Sequence, residues 1–340
     1  MAVPEIALIT RARGLGRHLL ARATLEALAE ADDLPAFARG LSRLGAAIDP
    51  IGEAPDVFEI DRAVGRTAAR YFRTLHRWQE RAPGVLDVFA ANQDRRSLRA
   101  LLRGAAQGAP SAARSRGLIP TPLLPQRALI ELARQASPAA VVGQLVLLGH
   151  PHATRLLPLV QETQPDLFAL DVALLQGFAA SASAAAKTGD RTLREFVREH
   201  IDVGNAQNAL LFAGGPRDVE AAHSFVEGGR WLSRNGFESA AAALSQQAAL
   251  MTLRTALAKS PLASPLPVVA GDVAHLDRAF LSANFEGLAR ATRVEPVSTP
   301  TLLRVLLRIE SQSRDLRTLA WGAALGTPPA LRKQQLVTPP

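Results

Sequence analysis

One nine-residue pattern occurs three times along the chain and decides its fold class. The copies are Asp56-Val-Phe-Glu-Ile-Asp-Arg-Ala-Val64, Asp166-Leu-Phe-Ala-Leu-Asp-Val-Ala-Leu174 and Asp272-Val-Ala-His-Leu-Asp-Arg-Ala-Phe280. Each copy keeps two aspartates, one alanine and three apolar positions at fixed places, and successive copies lie 110 and 106 residues apart. Such regular recurrence predicts an internal repeat. Coincidence in a chain rich in alanine and leucine is the alternative.

The first copy has the apolar periodicity of an α-helix. Its apolar residues recur at steps of three and four: Ile60, Val64, Ala68, Tyr71, Leu75 and Trp78. Asp56 is a predicted N-cap, with Glu59 as its capping-box partner. The predicted helix runs from Asp56 to about Arg81.

Two further helical features recur with each copy of the pattern. An apolar helical stretch of 17 residues precedes each copy, at 25–41, 129–145 and 237–253. A second helix follows each copy, with polar residues at its middle, near Asp94, Asp202 and Glu310. No sustained alternation marks a sheet. The sequence therefore predicts an all-α fold of three pseudo-threefold-related helical units, at 1–115, 116–218 and 219–340.

Composition excludes several classes of protein. The 340 residues include no cysteine, which excludes disulfides, thiolate metal sites and cysteine nucleophiles. Arginines interrupt the start of the chain, so no signal peptide is expected. Asp171 interrupts the apolar run 167–186, so no transmembrane segment is expected either. We expect a cytoplasmic chain whose linker at 104–125 is exposed.

No catalytic constellation emerges from the motifs. His150-Pro-His152 has no supporting carboxylate and is interpreted as a helix-start turn rather than a metal site. Gly14 and Gly16 lie in a predicted helix without a phosphate-loop lysine. Asp32-Asp33 lacks a second acidic box and is interpreted as an exposed turn between helices. We therefore predict no catalytic residue, no cofactor, no metal and no small-molecule substrate.

The positive charge has three possible explanations. The net charge is +8, with arginines clustered at 11–22 and a stripe formed by Arg95, Arg99 and Arg103. These residues could bind nucleic acid, could form a solvated helix face, or could dock an acidic protein or anionic headgroups. Stacking aromatic residues are scarce, which disfavours nucleic acid.

Local strings spread along the chain resemble the C subunit of the prokaryotic V/A-type ATPases, the equivalent of the eukaryotic d subunit. The strings are Ile9-Thr-Arg-Ala-Arg-Gly14 with His18-Leu-Leu20, Asp94 with Ser97-Leu-Arg99, Glu199-His-Ile-Asp202 with Asn205, Glu227-Gly-Gly-Arg230, and Glu310 with Asp315-Leu-Arg317. The resemblance covers almost the whole chain, and it rests on the order and spacing of these strings.

The resemblance implies a mechanical function. Members of the family are non-enzymatic, funnel-shaped central-stalk subunits at the cytoplasmic face of the membrane. They couple the D–F shaft to the proteolipid ring and transmit torque between ATP turnover and ion translocation, with the membrane stator subunit as a further candidate partner. An arginine-rich nucleic-acid-binding protein and an unrecognised helical enzyme are the competing hypotheses.

The repeated polar clusters then become candidate residues of a socket for the shaft. They are Asp94, Arg95, Arg99, Asp202, Asn205, Glu310 and Arg317. The alternative is that these residues cap or cross-link helices within each unit.

Overall fold

The computed structural model describes residues 6–45, 48–79, 84–162, 164–215, 221–263, 266 and 273–339. Within these ranges the chain forms α-helices, two short 3-10 helices and connecting turns, with no strand. The prediction of an all-α fold is confirmed.

Sixteen α-helices occur in the described part of the chain. In chain order they are α1 (Ile6–Gly16), α2 (Arg22–Ala29), α3 (Leu34–Ser42), α4 (Val57–His76), α5 (Val85–Ala106), α6 (Ser111–Arg114), α7 (Gln126–Arg134), α8 (Pro138–Leu147), α9 (Ala153–Leu156), α10 (Leu167–Ala186), α11 (Arg191–Phe212), α12 (Arg234–Ala241), α13 (Gln246–Ala256), α14 (Val273–Val294), α15 (Thr299–Ala324) and α16 (Pro329–Gln334). The 3-10 helices are Leu157–Val160 and Ala221–Ser224.

The helices follow one order three times. Two short helices precede a first long helix of 20 to 22 residues, and a second long helix of 22 to 26 residues follows it. The series are α2, α3, α4, α5, then α7, α8, α10, α11, then α12, α13, α14, α15. This order is what a repeated unit requires, while the boundaries at 115/116 and 218/219 stay a prediction.

The 17-residue apolar stretches are helix pairs, which corrects the expectation of one helical stretch in each. The second helix of each pair begins at an N-cap, namely Asp33, Ser137 or Ser245. Each cap side chain accepts a hydrogen bond from the backbone N–H three residues later. A side-chain acceptor at this place satisfies an N–H that a helix start leaves unpaired. The interpretation of Asp33 as part of a turn between helices is confirmed.

The repeated pattern itself begins helices, as predicted. The Asp56 carboxylate accepts from the Glu59 N–H at 2.6 Å, and the Asp166 carboxylate accepts from the Phe168 N–H at 2.8 Å. The Glu59 carboxylate accepts from the Gly52 N–H instead of completing a capping box. Asp272 lies outside the described residues. Helix α4 ends at His76, before the expected end.

Contacts divide the chain into two discontinuous units. The described residues of 84–106 and 137–287 form one, which we call the middle unit. The described residues of 6–79, 107–136 and 288–339 form the other, which we call the terminal unit. Helix α14 begins in the middle unit and ends in the terminal unit.

Each unit has a long helix at its centre. In the middle unit, α10 packs against α5 and α11, and α11 packs against α12 and α13 over a core that includes Phe237 and Leu250. In the terminal unit, α15 packs against α1, α2, α3 and α4, over a core that includes Phe37, Ile60 and Leu319. Full burial of such a side chain contributes about 1.5–3 kcal/mol to folding.

The linker at 104–125 is less exposed than expected. Leu118, Ile119 and Leu124 are buried, and Arg317 donates hydrogen bonds to the carbonyls of Gly117 and Leu118. The expectation of an exposed linker holds for 106–108, 110–112, 116–117 and 122–123, whereas 118–121 is buried because its apolar residues pack into the fold.

One described helix, α10, has the length and hydropathy of a membrane span. These are also the properties of a core helix, and 56% of the residues in its apolar window are buried in the fold. The sequence expectation of no transmembrane segment was based on Asp171. This residue lies inside α10 and is buried.

Helix α10 also packs closely on the turn before α9, and this contact can be tested. A Cβ added at Gly177 would lie 2.1 Å from Nδ1 of the buried His152. Gly177→Ala should therefore lower the free energy of unfolding by about 1–3 kcal/mol, because the His152 ring or helix α10 must shift. Urea unfolding measures the change.

Gly143→Ala is the matched control. Gly143 lies within α8, and a Cβ there meets nothing within 4 Å. The gain in helix propensity should raise the free energy of unfolding by about 0.5–1 kcal/mol. Equal effects of the two substitutions would contradict the proposed contact.

Candidate functional site

The seven candidate residues lie on second long helices and divide between the two units. The middle unit holds Asp94, Arg95, Arg99, Asp202 and Asn205, and the terminal unit holds Glu310 and Arg317. Five have little exposed surface: Asp94, Asp202, Asn205, Glu310 and Arg317. Whether any of them contacts a shaft stays a prediction.

Asp202 holds a turn that is distant in sequence. Its carboxylate accepts hydrogen bonds from the backbone N–H groups of Arg230 and Trp231 at 2.9 Å and of Leu232 at 3.1 Å. The residue is completely buried, so these donors replace water around a charge. Asp202 therefore fixes the backbone that leads into α12.

Asn205 and two glycines complete the same turn. The Asn205 amide donates to the Val226 carbonyl at 2.8 Å and accepts from the Val226 N–H at 2.9 Å. Gly228 has a φ of +108°, and a Cβ at Gly229 would lie 2.1 Å from Asp202 Oδ1. The glycines of the Glu227-Gly-Gly-Arg230 string are thus required by the approach of this backbone to α11.

Asp94 faces a buried pair of histidines. Its Oδ2 lies 3.6 Å from His150 Nε2, and His150 Nδ1 accepts from the His152 N–H. Burial, followed by the neighbouring His150 and Arg95, lowers the pKa of His152 to about 4. Both histidines lie in the turn before α9, as the sequence interpretation predicted.

The arginine stripe of α5 lies against α10. Arg99 Nε is 3.2 Å from Asp171 Oδ2, and Arg103 pairs with the same carboxylate. The Arg95 guanidinium lies 5.6 Å from the centre of the Phe178 ring. The stripe is only partly exposed, which disfavours the alternative of a solvated helix face.

Arg317 makes the equivalent pair in the terminal unit. Its Nε lies 2.8 Å from Asp61 Oδ1, and it also holds the carbonyls of residues 117 and 118. Asp61 and Asp171 are the second aspartates of the repeated pattern. Both pair with arginines on the facing second long helix. The repeated pattern could therefore have identified these two aspartates as ion-pair partners from the sequence. The side chain of the third, Asp277, lies outside the described set.

Helix α15 has two more polar anchors, which the sequence analysis did not select. The Asp315 carboxylate accepts from the N–H groups of Val337 and Thr338 at 2.8 and 2.9 Å. The Gln312 side chain accepts from the Leu20 N–H at 2.7 Å. Asp315 stood in one of the quoted strings, which was its only signal. Glu310 is buried on the same helix.

A group of charged side chains surrounds the α11 anchor. Arg230 pairs with Glu195 at 2.7 Å, and Arg191 pairs with the same carboxylate at 2.8 Å. Burial and the neighbouring charges of Glu195 and Asp202 raise the pKa of Glu199 to about 7. The described residues hold no group of three or more potential metal ligands. These ion pairs and hydrogen bonds can hold turns and keep charged side chains in place. Such contacts suit a rigid protein that binds partners.

Asp202→Asn tests the turn anchor. An amide keeps one oxygen and places N–H donors at the other position, so at least one of the three backbone donors loses its acceptor. We expect the free energy of unfolding to fall by about 2–4 kcal/mol, and the amides of residues 230–232 to exchange faster with solvent. Hydrogen exchange with denaturant titration measures both. Asp32→Asn, at an exposed position, should stay within about 0.5 kcal/mol. Unchanged exchange at 230–232 would contradict the assignment.

The raised pKa of Glu199 predicts a pH-dependent stability. Folding favours the protonated carboxyl, so this contribution is complete below the ordinary value of 4.5 and is lost as the pH rises through about 7. Glu199→Gln removes the titration. Between pH 4.5 and 7.5 the variant should gain about 2 kcal/mol of unfolding free energy relative to the natural chain. A constant difference across this range, measured by urea titration, would contradict the prediction.

Comparison with known proteins agrees with the resemblance. The C subunit of the V-type ATP synthase from two strains of Thermus thermophilus is 28% identical to this chain over 289 residues, which are 83% of this chain and 83% of each relative. The model of the family described as ATP synthase (C/AC39) subunit matches residues 8–335. Because this match spans nearly the whole sequence, the chain belongs to the C/AC39 family of ATP synthase subunits.

Proposed function

We propose that this chain is the central-stalk subunit that couples the D–F shaft of a V-type ATP synthase to the membrane proteolipid ring. The family match over residues 8–335 carries the proposal. The homologues indicate the C subunit of a V-type ATP synthase, which is an accessory subunit of a rotary ATPase and not an enzyme by itself. The shaft, the ring and the direction of coupling are the proposed parts.

The internal anchors suit a subunit that transmits torque. A body that passes torque has to resist bending of its helices and slipping of its turns. Asp202 and Asp315 each fix backbone at least 22 residues away in sequence, and Asp61 and Asp171 tie neighbouring long helices together. Buried groups of this kind open only with the surrounding structure. We propose that these aspartate contacts support coupling by making the subunit stiff.

Arg95 and Arg99 are the candidate contacts to the shaft. Both are only partly buried, whereas Asp202 and Asn205 have no exposed surface. We propose that Arg95 and Arg99 present charge to the shaft, while Asp94, Asp202 and Asn205 maintain the structure of the middle unit and Glu310 and Arg317 maintain that of the terminal unit. The nucleic-acid alternative has no support from the family or its relatives.

We propose a peripheral position at the cytoplasmic face of the membrane. The ring is the membrane partner, and the stator subunit is a further candidate. Helix α10, the one described helix with the properties of a span, packs against α5 and α11 inside the middle unit. A peripheral subunit needs no spanning helix of its own.

The coupling role is tested with the assembled ATP synthase. Removal of this chain should leave ATP hydrolysis by the catalytic head intact, while the proteolipid ring no longer copurifies with head and shaft. ATP-driven ion pumping in vesicles should fall to background, and adding back the purified chain should restore it. Retention of the ring and of pumping without this chain would overturn the proposal.

The socket residues are tested with a matched pair of charge reversals. Arg99 and Arg103 pair with the same carboxylate, Asp171, but only Arg99 is a candidate shaft contact. Arg99→Glu should weaken binding of the isolated D–F shaft at least tenfold, and Arg103→Glu should change it less than threefold. Calorimetric titration measures both, with thermal unfolding as the check on folding. Equal losses, or no loss, would remove Arg99 from the socket.

A further inference from the structure

A cleft in the terminal unit is lined by several arginines. It is formed by the last turn of α1, the end of α14 and the first three turns of α15, and has a volume of about 470 Å³. Its lining includes five arginines, Arg13, Arg17, Arg293, Arg304 and Arg308. No carboxylate and no aromatic ring occur among the described residues that line it.

The charge of this arginine cleft is not neutralised within the described fold. The side chains of Arg13, Arg17, Arg293 and Arg304 form no ion pair or hydrogen bond with other described residues. Other arginines behave differently: Arg99 and Arg317 pair with carboxylates, and Arg11 stacks on Trp78. Like charges in one cleft repel each other, so the free protein stores unfavourable electrostatic energy there.

Arg308 shows that the cleft is preorganised. Its guanidinium donates to the carbonyls of Gly16 and Leu20 at 3.3 and 3.4 Å, which places a cation at the negative end of the α1 dipole. Burial and the neighbouring charge of Arg304 lower the pKa of Arg308. One half-buried arginine is thus held by backbone, while the four exposed arginines around it can reach a ligand.

We propose that the arginine cleft binds a ligand that carries several phosphate groups. Guanidinium groups bind phosphate oxygens in a bidentate manner, and several charges in a small volume match the density of an oligophosphate better than that of spaced carboxylates. The absence of an aromatic ring from the described lining removes the stacking surface that a nucleobase uses. The same chemistry occurs in soluble polyphosphate and in phospholipid headgroups. This site is independent of the proposed coupling role.

The test uses the isolated full chain with inorganic tripolyphosphate. The natural chain should bind tripolyphosphate, with weaker affinity as salt increases. Arg17→Gln combined with Arg304→Gln should weaken binding at least tenfold, because two unpaired cations are removed. Arg39→Gln combined with Arg43→Gln removes the same charge from an exposed part of α3 and its C-cap, and should change binding less than twofold.

A second arm separates the two sources of phosphate. Sedimentation with phosphatidylcholine vesicles that contain phosphatidic acid, compared with pure phosphatidylcholine, measures headgroup binding by the same three proteins. Cleft-dependent binding of vesicles, displaced by tripolyphosphate, supports a lipid ligand. Cleft-dependent binding of tripolyphosphate alone supports a soluble ligand.

Three results would overturn the proposal. They are no binding in either arm, equal losses in the cleft and control variants, and binding of polyglutamate with no binding of tripolyphosphate. Folding supplies a further measurement on the same proteins. Without ligand and at low salt, the cleft variant should melt at a higher temperature than the natural chain, because repulsion is relieved, and tripolyphosphate should raise the melting temperature of the natural chain only. A lower melting temperature of the cleft variant would contradict the unpaired state of these arginines.

Discussion

The ion pair between an aspartate of a first long helix and arginines of the facing second long helix organises both units. Asp171 is 7% exposed and Asp61 is 6% exposed, so neither carboxylate could remain charged without a partner. Arg99 and Arg103 supply that partner to α10, and Arg317 supplies it to α4. Because a charge in an apolar helix interface has one favourable register, these pairs fix how the long helices meet.

The same requirement explains the turns. A buried carboxylate on a helix surface needs donors, and the nearest unused donors are backbone N–H groups of segments that have no regular structure of their own. Asp202 takes three from the turn before α12, and Asp315 takes two from the segment after α16. The helices thereby determine the loops, and glycines such as Gly229 are needed where backbone approaches the carboxylate. Coupling through a stiff body would draw on these contacts.

Periodicity and capping chemistry predicted the helices well. Helices α4 and α10 start where the repeated pattern places them, because N-caps act over three or four residues that are visible in sequence. The short helix pairs were missed, although Asp33, Ser137 and Ser245 were their signal. The partners of Asp202, Asp315 and Arg317 could not be predicted, because they lie from 22 to 256 residues away in sequence. Burial of the 118–121 segment depends on the same distant contacts.

The discontinuity of the two units has a consequence for synthesis. Helices α1 to α4 leave the ribosome first, yet α15, the helix they pack around, is the last long helix of the chain. The middle unit requires only residues up to 287 and can close earlier. Helices α1 to α4 must therefore wait with apolar surface uncovered while the inserted unit is made. The middle unit can fold before the terminal unit, and helices α1 to α4 depend on protection until α15 has been made.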